Sequence, residues 1–206
     1  MMRINKKQKN NALVSGFTLV ELMVATTLFT IIMVMGVGSL VISSNSAKSA
    51  QKLRISVDNV NFAMESIARD LRMGTNYYCN TDDYYSLTSD TPREADCKDS
   101  GNVVEFNSPV VQSTGETHRI AYFKSKRPDG VSYTLKRCEL ATGCADIVSS
   151  DVDVKELKFY VNGSSPLDKI QPMAQILIKG TVTIKNKNLT KSFSLQTMAS
   201  QRSAEK

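Results

Sequence analysis

Glu21 is the only charged side chain in a 26-residue apolar run, FTLVELMVATTLFTIIMVMGVGSLVI, spanning residues 17–42. A carboxylate in such surroundings costs on the order of a few kcal/mol unless it meets a cation or hydrogen-bond donors, so it asks for a partner. Two chemistries would supply one. Thr18-x-x-Glu21 has the spacing of a capping box, in which the carboxylate satisfies a free backbone N–H at a helix start. The other is an ion pair with a positive group from another molecule.

The remaining reactive side chains offer less. Cys79, Cys97, Cys138 and Cys144 all follow the apolar run, and their even number in a small polar domain favours disulfides. No pair has the C-x-x-C spacing of a zinc or thioredoxin-like site. Of the three possible connectivities, Cys79 with Cys97 and Cys138 with Cys144 has the shortest separations. His118 is the sole histidine and reads as a surface residue, and no G-x-S-x-G or comparable nucleophile motif occurs. No catalytic site, metal or cofactor is expected. Asp82, Asp83, Asp90, Asp96, Asp99, Asp151 and Asp153 invite calcium as oxygen donors, but none follows an EF-hand pattern, and solvated loop acids are the default. Lys124, Lys126 and Arg127 beside Tyr122 and Phe123 read as a solvated strand end, so DNA contact is not expected. The sequons at Asn162 and Asn188 read as turns.

Those residues must be positioned by a chain of 206 residues, enough for one ordinary domain and an elongated element. The formal net charge of +6 is concentrated at one end. Arg3, Lys6, Lys7 and Lys9 precede Gly16 with no acid among them, and without them 22 basic face 20 acidic residues. At about 1.5 Å per residue, residues 17–42 are long enough for a ~30 Å hydrocarbon core. Basic residues before that run and no comparable cluster after it place the N-terminus in the cytoplasm and the rest outside, where disulfides form. A secretory signal peptide would have a shorter apolar region and a small-residue cleavage site at its end.

Beyond the apolar run, Leu53, Val57, Val60, Met64, Ile67 and Leu71 recur at steps of four and three, which is one helical stripe. Glu65 and Arg69 are spaced as a supporting i,i+4 pair, and Gly74 reads as a C-cap. No proline interrupts residues 17–73, so the simplest reading is one helix, with Gly36 and Gly38 as weak points. Two helices joined around residues 43–49 are the alternative. Residues 77–100 read as a long irregular loop. Strands are expected at 103–106, 119–124, 131–136, 154–161, 175–185 and 189–196, the last two as an antiparallel hairpin.

At Ser15-Gly16-Phe17-Thr18-Leu19-Val20-Glu21 the sequence resembles the prepilin signature of type IV pilins and type II secretion pseudopilins. The resemblance implies cleavage between Gly16 and Phe17 by a membrane aspartyl peptidase, N-methylation of Phe17, and a role for Glu21 in assembly. Gly16 suits that cut physically, because without a Cβ an extended chain lies close against a peptidase. More weakly, Ile67-Ala68-Arg69-Asp70-Leu71-Arg72 and Phe193-Ser194-Leu195-Gln196-Thr197 resemble the helix end and final strand of J-type minor pseudopilins and related minor pilins.

The expectation is an α+β, pilin-like fold, a long N-terminal helix on a C-terminal antiparallel sheet. Its parts are a leader (1–16), a spanning and filament-core half-helix (17–42), an amphipathic half-helix (43–73) and a β-rich domain (74–206). The implied partners are the prepilin peptidase, other pilin or pseudopilin subunits, and membrane lipid before assembly. The implied location is the inner membrane and then an extracytoplasmic filament. A single-pass anchored binding domain that never assembles is the rival.

Overall fold

A computed structural model describes residues 16–82, 94–111, 117–139, 143–165, 167, 169–184 and 189–202. The described residues form one helix, α1 (Leu19–Met73), then nine strands: β1 (Thr75–Asn80), β2 (Cys97–Gly101), β3 (Val103–Val111), β4 (Thr117–Lys126), β5 (Tyr133–Glu139), β6 (Gly143–Asp146), β7 (Val152–Asn162), β8 (Met173–Ile184) and β9 (Leu189–Ser200). The chain divides into two compact units, Met1–Lys48 and Ser49–Lys206, and α1 contributes to both.

In the first unit α1 is exposed on all sides. Thr18 caps it, its Oγ1 accepting from the Glu21 N–H at 3.3 Å. Hydroxyls that would otherwise be stranded in an apolar medium bond back to the helix: Thr26 to the Leu22 carbonyl at 3.0 Å, Thr27 to Met23 at 2.7 Å and Thr30 to Thr27 at 2.8 Å. Helical structure continues through Gly36 and Gly38. This helix is long and apolar enough to cross a membrane.

In the second unit α1 buries the expected stripe. Val60, Met64, Ile67 and Leu71 are inside, with Ser56, Ala63 and Ala68 widening the face, while Leu53 and Val57 are half-buried. Full burial of side chains of this kind stabilises by about 1.5–3 kcal/mol each. Two antiparallel sheets complete the unit, ordered β1-β3-β4-β5-β6 and β2-β7-β8-β9. Their inward rows, Val104, Phe106, Ile120, Tyr122 and Leu135 from the first and Val154, Leu157, Phe159, Ile176 and Ile178 from the second, share one core with the helix stripe. In β7 a register shift between Val154 and Glu156 absorbs one residue, so that Val154 and Leu157 both point inward. Alternation puts Val103, Ala121, Phe123 and Cys138 on the opposite face of the first sheet, in a smaller cluster.

Several expectations from sequence are corrected. The presumed loop at 77–100 contains most of β1 and all but the last residue of β2, because pairing with β3 and β7 outweighs a polar, turn-like composition; residues 83–93 lie outside the described residues. Strand β6 was not foreseen, being four exposed residues paired with β5. Strand β5 starts at Tyr133 rather than 131, since Val131 is exposed beside the Asp129–Gly130 turn. Gly74 has no left-handed backbone. Its need is space, as a Cβ there would sit 2.4 Å from the Phe106 ring. Glu65 and Arg69 form no ion pair among the described residues; the i,i+4 pair on the helix is Arg54 with Asp58 at 3.8 Å.

Candidate functional site

The first turn of α1 gathers the residues that carried the sequence argument. Among the described residues nothing lies within 4 Å of where a Gly16 Cβ would stand, and Phe17 is exposed beside an apolar hollow lined by Leu22, Ala25, Thr26 and Phe29. Only half of the capping box forms. Thr18 accepts from the Glu21 N–H, whereas the Glu21 carboxylate has no hydrogen bond or ion pair among the described residues. The cap uses the backbone of Glu21 and leaves its charge free. An exposed carboxylate whose neighbours along the helix face are Val24, Ala25 and Leu28 has two ways to be stabilised: water, or a cation brought to it.

Within the globular unit, the second half of α1 is held by polar ties as well as by its core. The Tyr122 hydroxyl donates to Asp70 at 2.6 Å, and Arg137 Nε lies 3.3 Å from the same carboxylate oxygen and 3.1 Å from the Tyr122 oxygen. Arg137 also pairs with Glu139 at 2.5 Å. Burial, then the neighbouring Asp70 carboxylate, push the Tyr122 phenol well above its usual range. The Tyr77 hydroxyl donates to the Leu71 carbonyl in the last turn of α1, and burial raises that phenol too. Asn59 accepts from the Ser149 N–H at 2.7 Å. Helix and sheets are thereby fixed in register at both ends of the buried stripe.

Each cysteine is paired. Cys79 in β1 bonds Cys97 in β2, with Cα atoms 5.6 Å apart, and Cys138 in β5 bonds Cys144, directly opposite it in β6, at 4.0 Å. Gly101 makes the first bond possible, since a Cβ there would sit 2.3 Å from Cys79 Sγ and 2.5 Å from Cys97 Sγ.

Other candidate residues have structural work. Arg127 contacts Asp146 at 3.2 Å and donates to the carbonyls of Ser149 and Val152, and Lys124 lies over the Tyr133 ring at 4.9 Å. Asp96 accepts from the Ser164 N–H at 2.9 Å and from Gly163; burial opposes its ionisation, but these bonds and nearby Lys98 outweigh it and hold the carboxyl below its ordinary range. Asp153 accepts from the Tyr133 N–H at 2.8 Å, and Asp82 from Asn80 at 2.6 Å. Among the described residues no three His, Cys, Asp or Glu side chains gather as a metal would need, and Asp83 and Asp90 lie outside those residues, as does Asn188. Asn162 leads into the turn at Gly163, whose φ is +76°. His118 corrects the sequence reading: β4 begins earlier than expected, leaving His118 half-buried, with Nε2 enclosed and without a hydrogen-bond partner among the described residues.

Two features were beyond sequence reasoning. The polar ties at Tyr122, Arg137 and Asp70 join residues far apart in the chain, and the buried Arg119–Glu105 pair, at 3.1 Å, gives no local signal.

Comparison with known proteins returns one family model, the prokaryotic N-terminal methylation motif, matching residues 12–37. No curated protein matches the chain, and neither does any solved structure. The matched segment covers the Gly16–Phe17 junction, the Thr18 cap and Glu21. The chain carries the prepilin-type signal, and the long apolar helix that begins within it fits a pilin.

Proposed function

We propose that this chain is a structural, non-enzymatic subunit of a type IV pilus or type II secretion pseudopilus, present there as a minor component. The prepilin peptidase removes residues 1–16 after Gly16 and methylates the amine of Phe17. Before assembly, residues 17–42 hold the precursor in the inner membrane with its N-terminus in the cytoplasm. Residues 43–73 carry the β-rich domain, 74–206, outside. In the filament the apolar helix exchanges lipid contacts for contacts with other subunits.

The observation that carries this reading is the Glu21 carboxylate, without a partner among the described residues, on an apolar helix inside the matched methylation motif. Cleavage creates a positive amine on Phe17, and the amine of a neighbouring subunit is the cation that Glu21 lacks. Leaving one of two buried charges unpaired costs about 3–5 kcal/mol, so the pair acts as a checkpoint on incorporation after processing. A second feature fits side-by-side packing. Ile55, Phe62 and Met73 lie on one face of α1, opposite the buried stripe, and all three are exposed, Phe62 to 68%.

The test is incorporation of Glu21→Ala and Glu21→Val variants in cells that assemble the filament. Both insert and are processed normally, and both are depleted from sheared filaments by at least about tenfold. Full incorporation of both would mean that the carboxylate serves no assembly role, and absence of the unaltered chain from the filaments would favour an anchored domain that does not polymerise.

A further inference from the structure

The four sheet edges of the globular unit are not alike. At β1 the register shifts between Thr75 and Tyr78, and Ala95 covers the outer side, accepting from the Cys79 N–H at 3.0 Å and donating to the Tyr77 carbonyl at 3.1 Å. β2 has five residues, a register shift and a disulfide; β6 has four residues and a disulfide. Short, irregular, covered or cross-linked edges resist pairing with other chains. β9 has none of these features. It pairs with β8 over all twelve residues without a shift, contains no proline, and carries one charge, Lys191. Among the described residues nothing pairs with its outer side.

Its side chains also stop short of closing the core. Phe193 and Leu195 pack on the core but stay half-buried, and Met198 on the other face is 56% exposed. A tenth strand would cover the inner pair and satisfy the outer row of N–H and C=O groups.

The end of the strand indicates the charge of such a partner. Gln171, Ser200, Gln201 and Arg202 meet Arg69 and Arg72 of the last turns of α1 around a cavity of about 460 Å³ with no acid in its lining. The Arg202 N–H donates to the Arg72 carbonyl at 2.8 Å, tying the strand end to the helix end. None of these three arginines has an ion-pair partner among the described residues. Guanidinium forks suit carboxylates, and three more than offset the negative end of one helix.

We propose that the open edge of β9 takes an extended strand from another polypeptide, apolar at alternate positions and ending in carboxylates that enter the Arg69–Arg72–Arg202 cavity. The site lies wholly within the globular unit and does not depend on the assembly role of Glu21.

The test uses the full chain in detergent micelles and a twelve-residue probe peptide of alternating Val and Thr closed by two Glu. A matched peptide closed by two Lys is the control. Saturable binding of the acidic probe is expected, with slowed amide exchange confined to β9 and the residues lining the cavity. The lysine-closed peptide binds at least about tenfold more weakly, and Arg72→Glu with Arg202→Glu removes or reverses that preference. The comparison of the two peptides on the unaltered chain stands even if that variant misfolds. Equal binding of the two peptides, protection away from β9, or no binding at millimolar probe would overturn the proposal. So would pairing of β9 with a second copy of the chain that excludes the probe.

Discussion

Cys79 and Cys97 join strands of different sheets: β1 lies at the edge of the five-stranded sheet and β2 at the edge of the four-stranded one. The bond therefore couples the two layers, whereas Cys138–Cys144 only fastens β6 to its neighbour β5. Removing the first pair (Cys79→Ser with Cys97→Ser) should cost about 3 kcal/mol, and removing the second about 2 kcal/mol, on the chain-entropy scale. Chemical unfolding of the two double variants checks the order. Hydrogen exchange should show loosening of both sheets for the first and of β6 alone for the second.

Gly101 is bound up with the same bond, since its missing Cβ leaves room for both sulfurs. Gly101→Ala should therefore hinder oxidation of Cys79 with Cys97 and leave Cys138–Cys144 intact. Peptide mapping under non-reducing conditions would reveal the free thiols, and complete oxidation at both sites would contradict this account of the glycine.

Tyr122→Phe removes the hydroxyl between Asp70 and Arg137 while keeping the ring against Phe106. The expected loss is about 1–2 kcal/mol, because a partly buried carboxylate forfeits a donor. Tyr77→Phe should lose a similar or smaller amount, since its acceptor is the neutral carbonyl of Leu71. Unfolding midpoints of the two variants give the comparison.

Asp129 supplies the acid-sensitive step in the turn between β4 and β5. Hydrogen bonds from the Ser132 side chain, the Ser132 N–H and the Val131 N–H lower its pKa from 3.8 to about 2. With the folded value below the unfolded one, its contribution is present above pH 3.8 and is lost as pH falls through about 2. A carboxyl carbon titration by NMR should give a midpoint near 2. Asp129→Asn should flatten the stability profile over that interval only.

The legible parts of this molecule are those whose signal is local. The stripe from Leu53 to Leu71 follows from helical period, and β7 and β8 from alternation of apolar residues. Glu21 stands out by its type among apolar neighbours. What was not legible depends on partners distant in sequence. TNYYCN and CKDSG become strands because β3 and β7 pair with them, and Gly74 is small because Phe106 lies against it. The earlier start of β4 encloses His118, and no pattern around that residue reports it. At the N-terminal site, sequence named the residues, and geometry added that the cap spends the backbone of Glu21 and not its carboxylate.

On the proposed function, the mature protein begins at Phe17. Intact-mass and N-terminal peptide analysis of the protein recovered from cells bearing a prepilin peptidase tests it most directly. The expected result is a terminus at Phe17, N-methylated, with residues 1–16 absent, and retention of the uncleaved precursor when the peptidase is deleted. A mature protein that still begins at Met1, or one cut beyond the apolar run near Ala47 or Ala50, would contradict it.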